Sequence, residues 1–189
     1  SGSILLKINS FVNNTSTISR LEADTLKPSS WLQDATNLPG LNGLLAEQDR
    51  LVVVTTVART GEGLLKAIDL ATKNITTIAT VVPRGLFPKN TSLDGVTSDG
   101  QGGYYVTDYD NNKSFQVKAD GTVTEILTGQ LVSNPADLIY VPTKQLLLIP
   151  LMGASALKIF TDASTQLELK VNQTGSGKVT SEPAGIDCG

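Results

Sequence analysis

The chain contains few of the residue types that usually perform chemistry. It has no histidine and a single cysteine, Cys188, in 189 residues. A catalytic triad that includes histidine, an imidazole zinc site and haem ligation through histidine are therefore excluded within this chain. Cys188 has no partner for a disulfide within the sequence, so it is either a free thiol or the partner of a cysteine elsewhere.

Two polar residues that each precede a glycine are the main candidates for chemistry. Asn42 stands in a Leu-Asn-Gly triplet and Asp94 in a Leu-Asp-Gly triplet. Asn-Gly and Asp-Gly are also ordinary turn dipeptides, and their side chains can cap backbone N–H groups. Asn134 and Asp137 also lie near the start of a predicted unit, so either could face the same site. The residue types alone do not decide whether Asn42 and Asp94 have a structural role in turns or a chemical role in a site.

Charge and hydropathy exclude two classes of partner. The net charge is -3 and the sequence pI is about 4.9, and the Lys and Arg residues occur singly. A nucleic-acid binder normally shows a basic stripe, so we predict no nucleic-acid partner. No apolar run is long enough to span a bilayer, and the longest, Gln145–Met152, suits a buried strand.

The elements that would position Asn42 and Asp94 are short strands. Helical periodicity is nearly absent, and apolar runs of period two recur between Gly, Asp, Asn and Pro residues. The predicted strands are Ile4–Ile8, Thr17–Glu22, Gly43–Glu47, Leu51–Val57, Leu64–Leu70, Ile75–Val82, Gly95–Ser98, Gly103–Asp108, Ser114–Lys118, Val123–Leu127, Asp137–Val141, Leu146–Leu151 and Leu157–Phe160.

A repeat among these strands indicates the fold. A short strand opened by Asn-Gly, Asp-Gly or Ala-Asp is followed by a polar turn and a strongly apolar strand, such as Leu51–Val54 or Leu146–Ile149. The unit recurs at roughly 40–55 residues, the spacing of four-stranded propeller blades. The apolar strand suits a position buried between blades. We predict an all-β chain of about four β-propeller blades forming a partial ring, with a short C-terminal β segment.

The span from Ile4 to Asp162 resembles the six-bladed propellers of the gluconolactonase, senescence-marker and luciferin-regenerating superfamily, and more narrowly their bacterial exported relatives. The residues that carry the resemblance are Leu41–Leu44, Asp49–Val53, Leu93–Val96, Gly102–Asp108 and Asn134–Leu138.

The resemblance implies a divalent cation at the top of the central channel, with calcium favoured over zinc because the ligands are oxygens. Those enzymes use one Glu, two Asn-type groups and one Asp from different blades. Asn42 and Asp94 match two of the metal-ligand positions. Asp94 is also the implied catalytic residue, helping to activate water while the metal polarises a lactone carbonyl. The Glu and the other Asn have no match in this chain.

The last residues resemble the opening of a β-rich repeat of bacterial surface and secreted proteins. The motif runs from Gly175 to Gly189, and in such repeats a second cysteine usually follows. The resemblance implies that Cys188 is half of a disulfide, which indicates a secreted, periplasmic or cell-surface location. We therefore divide the chain into a partial propeller at 1–162 and a linker with the start of a repeat domain at 163–189.

Two functions remain open, so whether the chain is an enzyme is undecided. The favoured one is a non-catalytic module of a secreted or cell-surface bacterial protein that binds a partner or assembles into a surface structure. The alternative is a metal-dependent hydrolase of sugar lactones or related esters. A partial ring leaves sheet edges unpaired, so we expect missing blades or another chain to complete it, and a homo-oligomer is one way to do so.

Overall fold

The structure, a computed structural model, describes residues 3–8, 16–22, 24–85, 91–161, 179–180 and 187–188. These ranges contain β-strands, three short 3-10 helices (Gly129–Val132, Pro142–Lys144 and Met152–Ala154) and no α-helix. The strands are β1 (Ser3–Ile8), β2 (Thr17–Glu22), β3 (Pro28–Gln33), β4 (Leu44–Ala46), β5 (Arg50–Val57), β6 (Glu62–Asp69), β7 (Ile75–Val82), β8 (Leu93–Ser98), β9 (Tyr104–Asp108), β10 (Lys113–Val117), β11 (Val123–Thr128), β12 (Ile139–Val141), β13 (Leu146–Leu151), β14 (Ala156–Thr161), β15 (Val179–Thr180) and β16 (Asp187–Cys188).

The strands form four successive antiparallel sheets in which each strand pairs with its neighbour in the chain. The N-terminal sheet is β1-β2-β3, the second sheet is β4-β5-β6-β7, the third sheet is β8-β9-β10-β11, and the fourth sheet is β12-β13-β14. The short strands β15 and β16 pair with each other. The all-β prediction, with about four blade-like units, is confirmed.

Apolar cores lie between consecutive sheets. One joins Ile18 of the N-terminal sheet to Val53 of the second sheet, and another joins Val54 to Val106 of the third sheet. A further core places Tyr105 of the third sheet against the fourth sheet. Residues Leu51–Val54 of β5 are fully buried because sheets cover both of their faces, as an apolar second strand of a propeller blade requires.

The first strands of the last three sheets are neighbours. Strand β8 contacts both β4 and β12, so these inner strands line a common edge while the outer strands lie away from it. Sheets stacked face to face around shared inner strands form the arc of a β-propeller.

One strand of the propeller span was not predicted. Strand β3 begins at Pro28 and is mostly exposed, so it lacks the apolar alternation that marks the other strands. Proline is tolerated there because the first residue of an outer strand need not donate a ladder hydrogen bond.

Some predictions fall outside the described residues. The linker from residue 163 and most of the surface-repeat motif belong to this group; within the motif, only the β15–β16 pairing is described. No helix in the described ranges is both long and apolar enough to cross a membrane.

Candidate functional site

The structure brings the two candidate residues together. Asn42 lies just before β4, Asp94 is the second residue of β8, and the Asn42 side-chain Nδ2 donates a hydrogen bond of 2.7 Å to Asp94 Oδ1. Residues 52 positions apart thus meet at the inner edge of two adjacent sheets, as a shared site in the channel would require. The contact also joins the two sheets.

The glycine after Asn42 allows this approach. The Gly43 N–H donates a 2.7 Å hydrogen bond to the backbone carbonyl of Asp94. A Cβ on Gly43 would collide with that same carbonyl oxygen. Gly43 is therefore required for close packing of β4 on β8, which is a stricter demand than a turn makes.

Asp137 occupies the next position along this edge. A Cβ on Gly95 would lie 2.7 Å from Asp137 Cα and 2.9 Å from its Oδ1, so the two residues are packed together. Asp137 Oδ1 accepts a 2.9 Å hydrogen bond from the Leu138 N–H. We call Asn42, Asp94 and Asp137 the inner rim, because they follow one another across the second, third and fourth sheets.

A threonine side chain bridges the third and fourth sheets. The Gly95 N–H donates to the Thr107 hydroxyl at 2.8 Å, and that hydroxyl donates to the Ala136 carbonyl at 2.7 Å. Thr107 is fully buried. Neither its type nor its position marked it in the sequence as a residue that joins sheets.

Asn134 lies away from the inner rim and has a structural role. Its backbone N–H donates to Asn112 Oδ1 at 2.7 Å and its Nδ2 donates to the Tyr109 carbonyl at 3.2 Å. Its φ of 46° is a left-handed conformation that asparagine tolerates well. Asn134 therefore fixes the loop before the fourth sheet to the β9–β10 turn.

The chemistry of the inner rim suits a hard cation only in part. Two carboxylates and one amide can offer oxygen atoms, whereas calcium takes six to eight oxygen ligands. In the described ranges, no group of three or more His, Cys, Asp or Glu residues is arranged to hold a metal ion. Asn42 directs its N–H, not its oxygen, toward Asp94, although an amide can rotate.

A partly buried polar cluster that the sequence did not reveal joins the second and third sheets at their opposite ends. Tyr104 donates from its hydroxyl to Glu47 at 2.8 Å, and Arg50 donates to that hydroxyl at 2.9 Å and to Glu47 at 2.6 Å. Burial, followed by the Glu47 hydrogen bond, raises the pKa of Tyr104 to about 12. The Glu47 hydrogen bond raises the pKa of Arg50.

Asp108 is a buried carboxylate at the end of β9. It accepts hydrogen bonds from the Ser92 N–H at 3.1 Å and from Asn111 Nδ2 at 2.8 Å. Burial raises its pKa, although these hydrogen bonds oppose the shift. Asp108 thus connects the start of the third sheet to the β9–β10 turn.

The fourth sheet carries an apolar face that no described residue covers. Leu148 pairs with both Ile139 and Ile159, and Pro150 pairs with Leu157, so these side chains share one face. Ile139, Leu157 and Ile159 are 57%, 58% and 39% exposed. We call these five residues the terminal apolar face.

The equivalent face of the second sheet is buried. Val52 pairs with Ala67, and Val54 pairs with Leu65, in the same pattern as the fourth sheet. These side chains are at most 5% exposed because the third sheet packs on them. The terminal apolar face therefore has the composition of a surface between blades, and no described residue covers it in the same way.

No protein-family model and no curated protein matches the chain. Solved structures do match, at low identity. A chain of the nidogen/laminin complex is 20% identical with a TM-score of 0.59, and the match covers 84% of this chain and 56% of that one.

Two further structures extend the comparison. A catalytically inactive virginiamycin B lyase from Staphylococcus aureus is 13% identical with a TM-score of 0.50, over 86% of this chain and 61% of that one. The extracellular domain of a putative hybrid two-component system from Bacteroides thetaiotaomicron is 16% identical with a TM-score of 0.52, over 78% of this chain and 18% of that one. The chain thus spans less than two thirds of these relatives, and the likeness shows a β-propeller fold.

Proposed function

We propose that the chain is a non-catalytic propeller module of a secreted or cell-surface bacterial protein, which works by binding a protein partner or by assembling into a larger structure. The terminal apolar face carries this proposal. Leu157 and Ile139 are more than half exposed, and contiguous apolar surface of this kind marks an interaction site.

The inner rim supports the same proposal. Asn42 and Asp94 satisfy each other through a hydrogen bond that joins two sheets, so both residues have a structural task without any substrate. The extracellular domain and the nidogen/laminin complex among the similar folds fit an extracellular binding module.

Sedimentation velocity of the purified chain over a range of concentrations tests the proposal. We expect self-association that the double substitution Leu157→Lys/Ile159→Lys abolishes, because charge on an apolar face opposes its burial. The control is Leu26→Lys, which alters a side chain that is 66% exposed in the β2–β3 turn. A strictly monomeric chain that hydrolyses lactones would overturn the proposal.

A second candidate is a metal-dependent hydrolase of sugar lactones or related esters, with calcium favoured over zinc. The 2.7 Å contact between Asn42 and Asp94 favours it, because both metal-ligand positions implied by the sequence resemblance meet at one point. The described inner-rim residues supply too few oxygen donors for a complete calcium shell, so this function requires donors from elsewhere in the ring.

Calcium titration by calorimetry, with lactone hydrolysis measured in parallel, tests this second function. A hydrolase would bind calcium and lose both binding and turnover in Asp94→Asn, because the amide removes the charge that holds the cation. Asp120→Asn is the control, since Asp120 lies in an exposed turn, where it accepts a hydrogen bond from the Thr122 N–H. Equal calcium heats for the wild type and Asp94→Asn would remove the candidate.

A further inference from the structure

Asn42 is the one asparagine in the sequence that a glycine follows. In such a pair the backbone nitrogen of the glycine can attack the Cγ of the asparagine side chain. Glycine favours this attack because it has no Cβ to block the approach and its backbone rotates freely. Water opens the resulting five-membered succinimide to aspartate or isoaspartate. The Asn42–Gly43 pair therefore has the chemistry for spontaneous deamidation.

The structure holds both groups that would react. The Gly43 N–H, which carries the attacking nitrogen, donates to the Asp94 backbone carbonyl at 2.7 Å. The Asn42 Nδ2, which would leave, donates to Asp94 Oδ1 at 2.7 Å. Ring closure requires the Gly43 nitrogen to lose its proton and to turn toward the Asn42 Cγ. Both hydrogen bonds therefore oppose the reaction.

The neighbouring strand β5 restrains the backbone of the pair. The Asn42 N–H donates to the Val54 carbonyl at 2.9 Å, and the Val54 N–H donates to the Gly43 carbonyl at 3.2 Å. Rotation about the Asn42 Cα–C bond, which ring closure needs, would disturb this exchange of hydrogen bonds. The second sheet thus fixes the backbone of the pair, while the third sheet holds its reactive atoms.

The protection by the third sheet depends on close contact between the two sheets. Both 2.7 Å bonds end on Asp94, and a Cβ on Gly43 would lie 3.2 Å from the Gly95 Cα. Separation of the sheets would break both bonds together and would give the Gly43 nitrogen room to turn. Local openings of this kind occur in folded proteins without global unfolding.

We propose that Asn42 is a latent deamidation site that records openings between the second and third sheets. In the open state the Gly43 nitrogen bonds to the Asn42 Cγ, the Cγ–Nδ2 bond breaks, and ammonia leaves with the proton from the Gly43 nitrogen. Water then adds to a carbonyl of the imide and produces a carboxylate at position 42. The reaction consumes only water, and the loss of ammonia makes it irreversible.

The product opposes closure of the two sheets. A carboxylate at position 42 has no N–H to donate to Asp94, so two like charges replace a hydrogen bond. In isoaspartate the main chain also passes through the former side-chain carbon, which lengthens the backbone just before Gly43. Deamidation therefore converts a transient opening into a lasting one.

Peptide mass spectrometry of the full chain, incubated at mildly alkaline pH, measures the rate at which Asn42 becomes an acid. We expect the wild type to react at least roughly tenfold faster in unfolding urea than in native buffer, because the rate follows the population of the open state. In native buffer, Asp94→Ala is expected to react roughly fivefold faster than the wild type, because the bond to Nδ2 is lost.

Asp120→Ala is the matched control, because it removes a carboxylate from the β10–β11 turn of the same sheet. Its rate should stay within about twofold of the wild type. Circular dichroism establishes that both variants are folded, and the comparison in urea needs no substitution. Equal wild-type rates in native buffer and urea would overturn the proposal, as would equal rates for folded Asp94→Ala and the wild type.

Thermal unfolding tests the consequence of the modification. Asn42→Asp, which carries the carboxylate of the product, is expected to lower Tm by roughly 5 °C in the presence of a chelator. Asn42→Ala is the control, since it removes the hydrogen bond without adding a charge, and its Tm should fall less. An Asn42→Asp protein as stable as the wild type would show that the sheets close over the product. Neither experiment depends on whether the terminal apolar face binds a partner.

Discussion

A single phenol hydroxyl connects the turn of the second sheet to the third sheet. Tyr104 donates to Glu47 and accepts from Arg50, so both functions of the hydroxyl are used. Since burial holds the pKa of Tyr104 at about 12, the hydroxyl keeps its proton throughout the neutral range. The hydroxyl therefore stays available to donate to Glu47 at neutral pH.

Tyr104→Phe should lower the free energy of unfolding by about 1–2 kcal/mol, because the ring stays while Glu47 and Arg50 lose a partially buried hydrogen-bond partner. Urea unfolding monitored by circular dichroism measures the change. Tyr109→Phe serves as the control, because Tyr109 is only half-buried in the β9–β10 turn. Equal stability of Tyr104→Phe and the wild type would show that the cluster does not hold the sheets together.

Asp108→Asn should change how stability depends on pH. Burial raises the pKa of Asp108 above its ordinary value of 3.8, so the folded state binds the proton more tightly than the unfolded state. That contribution is fully present below pH 3.8 and is lost as the pH rises through the raised pKa.

Urea unfolding between pH 3.5 and 7 should therefore show the wild type losing stability relative to Asp108→Asn as the pH rises. The comparison between the two proteins is needed because Asp34, Asp69 and Asp120 have lowered pKa values and make the opposite contribution. Parallel pH profiles for the two proteins would contradict the assignment.

At the scale of elements, glycine controls how closely the inner strands approach. Gly43→Ala should destabilise the protein by roughly 2–4 kcal/mol, because its Cβ meets the backbone carbonyl of Asp94, which has little freedom to move. Gly129→Ala is the control: its φ of 66° is strained for alanine, but no atom lies within 4 Å of the new Cβ. We expect it to cost about 1 kcal/mol. A smaller loss for Gly43→Ala than for Gly129→Ala in chemical unfolding would refute this account.

The strands were predictable from sequence because their apolar alternation is local. All thirteen strands predicted in the propeller span are present, with ends displaced by at most two residues. Strand β3 was missed because its residues are mostly exposed and so carry no alternation.

The sequence predicted which residues form the candidate site, but it did not predict the neighbouring contacts between sheets. The triplets around Asn42 and Asp94 marked two positions that do converge, whereas the clusters around Tyr104 and Thr107 depend on pairings between separate sheets. A sequence without a known register cannot show such pairings. Whether the inner rim holds a cation stays a prediction.

At the scale of the whole molecule, each sheet is stabilised mainly by its neighbours on either side, so protection should be greatest in the middle of the arc. Amide hydrogen exchange followed by mass spectrometry should show the slowest exchange in the buried centre of β5 and in β9, all of whose residues are buried. Strand β3, which is mostly exposed, should exchange earlier. Exchange in β3 as slow as in β9 would mean that the arc unfolds as one cooperative unit.

The Thr107 hydroxyl between Gly95 and Ala136 has an evolutionary consequence. A connection made only by main-chain atoms, such as that from Gly43 to Asp94, passes unchanged through most point mutations elsewhere. The connection at Thr107 depends on one side chain, and therefore on one codon. Descendants of this gene can therefore lose the Thr107 connection by a single base change at that codon, whereas the main-chain bond from Gly43 to Asp94 persists as long as Gly43 is kept.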